Sequence, residues 1–213
     1  MIDTIIFDAD GVVIDSEALW DAGQKEFLRR RGCTYDRETV KPLLTGRSVA
    51  DGVRVMQEVY GFAGDVEKLA IERIKIMKYL FSNNLSFMEN FKDFYHTVKA
   101  KYKTCIATAM DSDLLSLADE RLGLAKLFRG NLYSIAEVGY VAKPQPDIFL
   151  HAARRLGAQV KQCLVIEDAP LGVEAAKRAG MQCIALTTTY RREQLTQADL
   201  VVDGYTQIDL SCF

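Results

Sequence analysis

The sequence predicts an α/β fold, a doubly wound parallel sheet that carries an inserted, all-helical cap domain. Two observations support this fold class. Short, continuously apolar runs alternate with helical segments along most of the 213 residues, as buried parallel strands and their crossover helices do. One long interval near the N-terminus contains helical patterns and no convincing strand. A chain of this length can bury a full core and still accommodate such an insertion.

Six apolar runs have the length and composition of buried strands. Their side chains are apolar throughout and do not alternate with polar ones, which is typical of strands covered on both faces. Because strand–helix–strand connections within one sheet are right-handed, the repeated cadence predicts parallel strands with helices on both sides. The predicted strands are Thr4–Phe7, Thr104–Thr108, Leu132–Ile135, Cys163–Ile166, Gln182–Leu186 and Leu200–Val202.

Two helices between these strands can be delimited by their end signals. Apolar residues recur at helical spacing from Pro146 to Leu156, and Gly157 follows as a stop. The segment from Pro170 to Ala179 begins with a proline at an early helical position and ends before Gly180. Both segments therefore fit crossover helices of the sheet.

The interval between the first two strands departs from this rhythm. Helical patterns cover Ala18–Arg31, Val49–Tyr60 and Val66–Phe81, and the joints are expected near Ile14–Glu17 and Ser82–Leu85. We therefore divide the chain into a core domain, residues 1–15 and 84–213, and a helical cap domain, residues 16–83.

Composition argues against several classes of function. The 27 basic and 29 acidic residues give a net charge of −2, and no basic block indicates a nucleic-acid surface. No apolar stretch reaches membrane-spanning length, and no signal peptide precedes the first strand. The five cysteines are odd in number and lack a C-x-x-C spacing, so reduced, structural thiols are favoured. We expect a cytoplasmic protein that binds neither nucleic acid nor membrane, and we favour a monomer.

Polar side chains gather where the predicted strands end. In open α/β sheets, ligands bind beyond the carboxyl ends of the strands, so these side chains should converge on one rim. Clustered carboxylates need a cation among them, and Mg²⁺, which prefers oxygen ligands, suits that task. A metal, an ammonium and a hydroxyl together can hold a phosphate group. The converging residues are Asp8, Asp10, Thr108, Ala109, Lys143, Glu167 and Asp168.

Four motifs in this order resemble the haloacid dehalogenase superfamily, in its branch of β-phosphoglucomutase-like and phosphoglycolate-phosphatase-like proteins. The resemblance covers the whole chain, including the cap and the closing ADLVVDGY (198–205). It implies a Rossmann-like core, dependence on Mg²⁺ and a small phosphorylated metabolite as the substrate. The motifs are FDADGVVIDSE (7–17), IATA (106–109), VAKPQPDIF (141–149) and VIEDAPLGVEAAKRAGM (165–181).

The resemblance also implies a chemical role for each core residue. Asp8 would attack phosphorus and form an aspartyl phosphate, while Asp10 would protonate the leaving oxygen and later accept a proton from water. Lys143 would neutralise Asp8 and the phosphoryl oxygens. Thr108 and the backbone amide of Ala109 would bind the phosphoryl group.

The metal ligands follow from the same resemblance. Mg²⁺ would be held by the carboxylates of Asp8 and Asp168 and by the main-chain carbonyl of Asp10. Glu167 would lie beside the ion or bind it through water.

Four cap residues are candidate substrate contacts. Gly46 and Arg47 in LLTGRS match a loop that in relatives reaches down to the active site, where Arg47 would contact a phosphate or a hydroxyl of the substrate. Lys75 is a further candidate on a cap helix. Trp20 could line the cleft, or it could only pack within the cap.

The expected function is a Mg²⁺-dependent phosphatase that hydrolyses a sugar phosphate or a similar metabolite through an aspartyl phosphate. A β-phosphoglucomutase-type phosphosugar mutase is the first alternative. A phospho-accepting, receiver-like regulatory domain is a non-enzyme alternative, although Asp10 and a cap of this size argue against it. A dehalogenase is less favoured, because Asp10, Glu167 and Asp168 match the members that handle phosphate.

One substitution within the resemblance favours hydrolysis over phosphoryl transfer. In β-phosphoglucomutase, a histidine ten positions after the equivalent of Asp10 helps to restrain the general acid/base. Here Trp20 occupies that position, and Ser16 stands in place of a threonine. Since indole offers one N–H donor and no acceptor, we expect Asp10 to lack this restraint and water to discharge the aspartyl phosphate readily.

Overall fold

A parallel sheet of six strands lies at the centre of the computed structural model, which describes residues 1–213. Two further strands of two residues each pair in the antiparallel direction. One lies where the chain leaves the core for the cap, and the other lies where the chain returns to the core. In chain order the strands are β1 (Thr4–Phe7), β2 (Ile14–Asp15), β3 (Ser86–Phe87), β4 (Lys103–Ala107), β5 (Leu132–Tyr133), β6 (Cys163–Glu167), β7 (Gln182–Leu186) and β8 (Leu200–Val202).

The six strands lie in the order β5-β4-β1-β6-β7-β8, and every neighbouring pair is parallel. The predicted doubly wound sheet is confirmed. The chain winds outward from β1 in both directions, so the strand order reverses at β1 and a crevice forms beyond the ends of β1, β4 and β6. Phe7 pairs with both Ile106 and Ile166, which brings the residues that follow β1, β4 and β6 to the same level.

Nine helices surround this sheet and form the cap. The five helices that the sequence delimits are present with ends shifted by up to three residues, whereas α2, α5, α6 and α7 have no counterpart among the predictions. The helices are α1 (Glu17–Arg29), α2 (Arg37–Leu44), α3 (Val49–Tyr60), α4 (Val66–Asn84), α5 (Phe91–Val98), α6 (Ser112–Leu122), α7 (Leu124–Leu127), α8 (Asp147–Arg155) and α9 (Pro170–Arg178).

Strand β5 is shorter than the apolar run predicted. The run Leu132–Ile135 forms a strand only over its first two residues, because a 3₁₀ turn begins at Ile135. The backbone amide of Ser134 donates to Glu137 Oε1 (3.1 Å), so this N–H is satisfied locally rather than by the sheet. Apolar character alone therefore overestimates the strand.

The predicted all-helical cap is confirmed, since α1 to α4 lie between β2 and β3 and no strand interrupts them. They enclose a hydrophobic cluster of their own, which includes Phe27, Val53 and Met56. The exact division at residues 15/16 and 83/84 stays a prediction, although the β2–β3 pairing of Ile14 with Phe87 ties the two crossings together. This pairing holds the base of the cap close to the end of β1.

The five cysteines form no disulfide bonds with one another. Cys105, Cys163 and Cys183 are buried, Cys33 is partly buried and Cys212 is exposed, and their reduced state stays a prediction. None of the helices combines the length with the apolar character that a bilayer crossing requires.

Candidate active site

A cavity lies between the carboxyl ends of the sheet strands and the cap. It brings together residues that are far apart in the sequence, and both domains contribute to its wall. Of the predicted site residues, the cavity is lined by Asp8, Asp10, Trp20, Gly46, Arg47, Thr108, Ala109, Lys143, Glu167 and Asp168.

The buried ammonium group of Lys143 joins two carboxylates at the end of the sheet. Its Nζ donates to Asp8 Oδ1 (2.6 Å) and to Glu167 Oε1 (2.5 Å). The ring of Phe149 lies beneath the same ammonium, 4.8 Å from Nζ to the ring centroid. These two carboxylates raise the pKa of Lys143 against the effect of burial, so the side chain is a permanent cation in this site.

Glu167 is fully occupied by contacts within the protein. Its Oε1 accepts from Lys143, and its Oε2 accepts from the backbone amides of Asp168 (2.8 Å) and Ala169 (3.0 Å). Gly172 on α9 leaves the space for this side chain, because a Cβ there would overlap the carboxylate. The structure therefore gives Glu167 a role in positioning Lys143 and the turn after β6, and direct ligation of a metal would require it to give up these bonds.

Oxygen atoms of Asp8, Asp10 and Asp168, which lie next to Glu167, could hold a divalent cation. Carboxylate oxygens of Asp8, Glu167 and Asp168 lie within 4.8 Å of one another. The main-chain carbonyl of Asp10 accepts no backbone hydrogen bond and is free to bind an ion. Gly11 has a φ of +70° and must lack a Cβ, since one would overlap Asp168 Oδ2. Hard oxygen donors in this number are the ligands that Mg²⁺ prefers.

The electrostatics of these carboxylates also favour a bound cation. Burial raises the pKa of Asp8 to about 8, although Lys143 acts in the opposite direction, and Glu167 and Asp10 raise it further. Burial, together with Glu167 and Asp8, raises the pKa of Asp168 well above its usual range. A divalent cation would relieve the repulsion between these groups and favour their ionised forms.

Asp10 is held apart from this ion-pair network. Its Oδ1 accepts from Ser16 Oγ (2.5 Å) and from Trp20 Nε1 (2.8 Å). Burial raises the pKa of Asp10, while these two hydrogen bonds oppose the rise. The indole itself packs edge-on against Phe81 on α4, with ring centroids 6.0 Å apart. The expectation that Asp10 lacks a restraint is therefore wrong, because one N–H donor is enough to hold a carboxylate.

Thr108 is placed to donate a hydrogen bond into the cavity. The residue is buried beyond the end of β4, and its Oγ1 accepts from the backbone amide of Met110 (3.1 Å). Because that contact uses a lone pair of the hydroxyl, the hydroxyl proton remains available to a phosphoryl oxygen.

The cap loop Thr45–Gly46–Arg47 is tied to the core. Tyr190, which follows β7, donates its hydroxyl to Thr45 Oγ1 (2.7 Å). Arg47 lies at the cavity wall, but its side chain is exposed and its Nε donates to Leu43 O (2.7 Å). The structure thus brings the loop to the site and leaves the Arg47 guanidinium directed partly onto the C-terminal end of α2.

Lys75 is not brought to the site. It is exposed on α4 and does not line the cavity, so the structure argues against it as a substrate contact. Arg73, two residues earlier on the same helix, is buried and lines the cavity instead. The available signal was its helical spacing from Ala70 and Ile76, which places a charged residue on the buried face of α4.

Lys41 on α2 is a second site residue that the sequence did not indicate. It is buried at the cavity wall, where it contacts the carboxylate of Glu17 and lies 3.9 Å from Asp21. Burial lowers the pKa of Lys41 to about 8, and the charges of Asp168 and Asp10 oppose that change. The cap half of the cavity is therefore rich in charged groups.

A family model described as haloacid dehalogenase-like hydrolase matches residues 2–180. The chain belongs to this family. The predictions of a hydrolase and of the Rossmann-like core of the haloacid dehalogenase superfamily are thereby confirmed.

Several known proteins are similar to the chain over most of its length. Validoxylamine A 7'-phosphate phosphatase of Streptomyces hygroscopicus subsp. limoneus is 29% identical over 205 residues, which cover 95% of this chain and 94% of that protein. The chain is 31% identical over 200 residues to SUPPRESSOR OF QUENCHING 1 of Arabidopsis thaliana, covering 92% of this chain and 19% of that longer protein. The crystal structure of β-phosphoglucomutase from Clostridium difficile aligns with a TM-score of 0.84 at 25% identity, over 100% of this chain and 95% of that one.

The raised pKa of Asp8 predicts that metal binding releases a proton. Below about pH 8 the Asp8 carboxyl keeps its proton in the metal-free protein, and a cation must displace that proton to bind. We therefore expect the affinity for Mg²⁺ to fall as the pH is lowered from about 8 to about 6. Isothermal titration calorimetry in buffers of different ionisation enthalpy measures both the number of protons released and the affinity for Mg²⁺.

Asp8→Asn is the matched variant for this prediction. It should bind Mg²⁺ more weakly and release fewer protons, because the amide has no proton to give up in this range. An affinity for Mg²⁺ that does not change with pH in the unmodified protein would contradict the prediction.

Proposed function

We propose that the protein is a Mg²⁺-dependent phosphatase that hydrolyses a sugar phosphate or a similar small ester through an aspartyl phosphate on Asp8. One observation carries the proposal, namely the different partners of the two neighbouring aspartates. Asp8 contacts a fixed ammonium at 2.6 Å, whereas Asp10 is held by two neutral donors. With a cation bound beside it, the first carboxylate would be ionised and able to attack, and the second can carry a proton.

The two half-reactions use these residues in turn. An Asp8 oxygen forms a bond to phosphorus as the ester P–O bond breaks, and Asp10 gives its proton to the departing alcohol oxygen. Water then attacks phosphorus, its proton passes to Asp10, and inorganic phosphate leaves as the Asp8 carboxylate is restored. Lys143 and the Thr108 hydroxyl stabilise the charge on the phosphoryl oxygens throughout.

The metal belongs to the same proposal. The carboxylates of Asp8 and Asp168 and the main-chain carbonyl of Asp10 would hold Mg²⁺, with Glu167 behind them as the anchor of Lys143. When bound, the ion supplies positive charge that neutralises the phosphoryl oxygens.

The family and the phosphatase among its relatives support hydrolysis of a phosphoric monoester. A receiver-like regulatory role finds no support in a family of hydrolases. The proposal includes the class of the substrate, a sugar phosphate or a similar small ester, and a cytoplasmic location.

The mutase is a second candidate on two observations. The chain aligns with a β-phosphoglucomutase over its full length, and Asp10 is restrained by Ser16 and Trp20 after all. Hydrolysis is still preferred because indole cannot exchange a proton with Asp10.

Asp8→Asn should abolish hydrolysis of p-nitrophenyl phosphate in the presence of Mg²⁺, because the amide cannot attack phosphorus. Lys143→Ala should lower kcat by about 10² or more, since it removes the fixed cation from several carboxylates and the phosphoryl group. Lys161→Ala, which removes an exposed lysine outside the cavity, is the control and should match the unmodified protein. Substantial activity in Asp8→Asn would remove Asp8 as the nucleophile.

Trp20→Phe should discriminate between leaving groups. It removes the indole N–H that holds Asp10, so esters whose alcohol needs a proton should lose about tenfold in kcat/KM. An aryl phosphate needs little protonation of its leaving group and should lose much less. Because kcat/KM reports only on steps up to loss of the alcohol, steady-state kinetics with glycerol 3-phosphate and p-nitrophenyl phosphate measures the difference. Equal losses on both esters would indicate that Trp20 serves only to pack the cap.

Incubation with β-glucose 1-phosphate and a trace of the 1,6-bisphosphate separates phosphatase from mutase. We expect inorganic phosphate to accumulate faster than glucose 6-phosphate, because no titratable group replaces the missing imidazole. Asp8→Asn is the blank for both products. Faster formation of glucose 6-phosphate would establish the mutase reaction.

A further inference from the structure

Arg73 on α4 is a buried cation in the wall of the active-site cavity. Only 5% of the residue's surface is exposed, and the residue lines the cavity. The guanidinium donates from Nη1 to the main-chain oxygen of Val49 (3.0 Å) and from Nη2 to Gln24 Oε1 (2.8 Å). Both acceptors are uncharged, and no carboxylate contributes to the electrostatics of this group.

The other charged groups that line the cap side of the cavity, apart from the exposed Arg47, have charged partners. Lys41 contacts the carboxylate of Glu17. Asp21 accepts from Arg37 Nε (2.7 Å) and from the hydroxyl of Tyr35 (3.0 Å). Each of these side chains thus has a counter-charge within the protein. Arg47 has none but is exposed to solvent, so Arg73 is the one buried cation of the cavity's cap side left without a counter-charge.

This arrangement is unfavourable for the protein alone. Burial lowers the pKa of Arg73 to about 10, so the guanidinium is still charged at neutral pH. A guanidinium has five N–H groups, and the two hydrogen bonds above leave about three of them without an acceptor in the protein. An unmatched buried charge with unused donors is costly unless another group satisfies it.

The neighbouring helix provides room for the guanidinium. Gly52 lies inside α3, where glycine is a weaker helix former than alanine. A Cβ at this position would lie 2.6 Å from Arg73 Nη1, so any larger residue would displace the guanidinium.

We propose that Arg73 binds a carboxylate of the substrate, at the end remote from the transferred phosphoryl group. The planar guanidinium can pair with a carboxylate through two parallel hydrogen bonds. A singly charged group matches the single buried cation that lacks a counter-charge, whereas a second phosphate would bring excess negative charge to this buried position. The inference rests on the proposed phosphatase function and narrows its substrates to phosphate esters of hydroxy acids.

A purely structural role for Arg73 has a different consequence. The side chain links α4 to Gln24 on α1 and to Val49 on α3, and such a link stabilises the cap whatever the substrate is. A structural link would not distinguish a carboxylate from a hydroxymethyl group on the leaving group.

Matched pairs of esters test the proposal on the unmodified protein. In each pair, a carboxylate replaces a hydroxymethyl group at the end away from the phosphate: 2-phosphoglycolate with 2-hydroxyethyl phosphate, 3-phosphoglycerate with glycerol 3-phosphate, and 6-phosphogluconate with glucitol 6-phosphate. We expect kcat/KM for the acid to exceed that for the alcohol by about tenfold or more in at least one pair. Different chain lengths are included because the distance from Arg73 to the phosphoryl site selects among them.

Variants of Arg73 then connect the preference to this side chain. Arg73→Gln should remove most of the acid-to-alcohol ratio, and Arg73→Lys should retain part of it because the charge remains. Gly52→Ala should reduce the ratio without altering Arg73 itself. Lys68→Gln, which removes an exposed cation from the same helix, is the control and should keep the full ratio.

The outcomes separate this inference from the function on which it rests. If the alcohol is hydrolysed as well as the acid in every pair, or neither is hydrolysed while p-nitrophenyl phosphate is, the inference is overturned and the phosphatase stands. If p-nitrophenyl phosphate is not hydrolysed either, the proposed function itself fails. Should Arg73→Gln not fold, the comparison on the unmodified protein and Gly52→Ala still decide the question.

Discussion

The contact of Lys143 with Asp8 and Glu167 is the interaction on which the rest of the site depends. Several buried carboxylates at one end of a sheet would otherwise repel one another and keep their protons. The ammonium group at 2.6 Å from Asp8 and 2.5 Å from Glu167 offsets part of that repulsion. Glu167 in turn holds the backbone amides of Asp168 and Ala169, where α9 begins. A single cation thereby fixes the nucleophile candidate and the turn that presents Asp168.

Strand register is what makes this contact possible. Phe7 pairs with Ile166 in neighbouring parallel strands, so the next residue of each strand, Asp8 and Glu167, emerges at the same level. Lys143 reaches both from a loop that precedes α8. A slip of one residue in either strand would turn one of the carboxylates to the other face of the sheet. The apolar pairing of β1 and β6 therefore determines the chemistry at their ends.

The sequence predicts the core of this molecule well because its signals are local. Neighbouring residues alone indicate where a strand or a helix ends and which acids follow it. The resemblance to the family then implies the chemical roles of these acids. The cap half was less predictable, since it depends on which side chains meet across helices. Lys75 was a candidate and Arg73 was not, although only the packing of α4 decides which of them faces the cavity. The same applies to adjacent acids: Glu167 and Asp168 look equivalent in sequence, and hydrogen bonds alone assign Glu167 to Lys143 and the backbone.

For Trp20, the sequence prediction failed because of the chemistry assigned to the side chain and not because of its position. Indole lacks the acceptor and the titratable proton of imidazole, and this difference suggested that Asp10 would be free. A carboxylate, however, needs only donors, and Trp20 with Ser16 supplies two of them to one oxygen. Because Trp20 also packs on Phe81 of α4, the helix that carries Arg73 supports the side chain that holds Asp10. A leaving group bound at Arg73 would thus contact the same helix that supports its proton donor. Recognition and protonation of the leaving group would then both depend on α4.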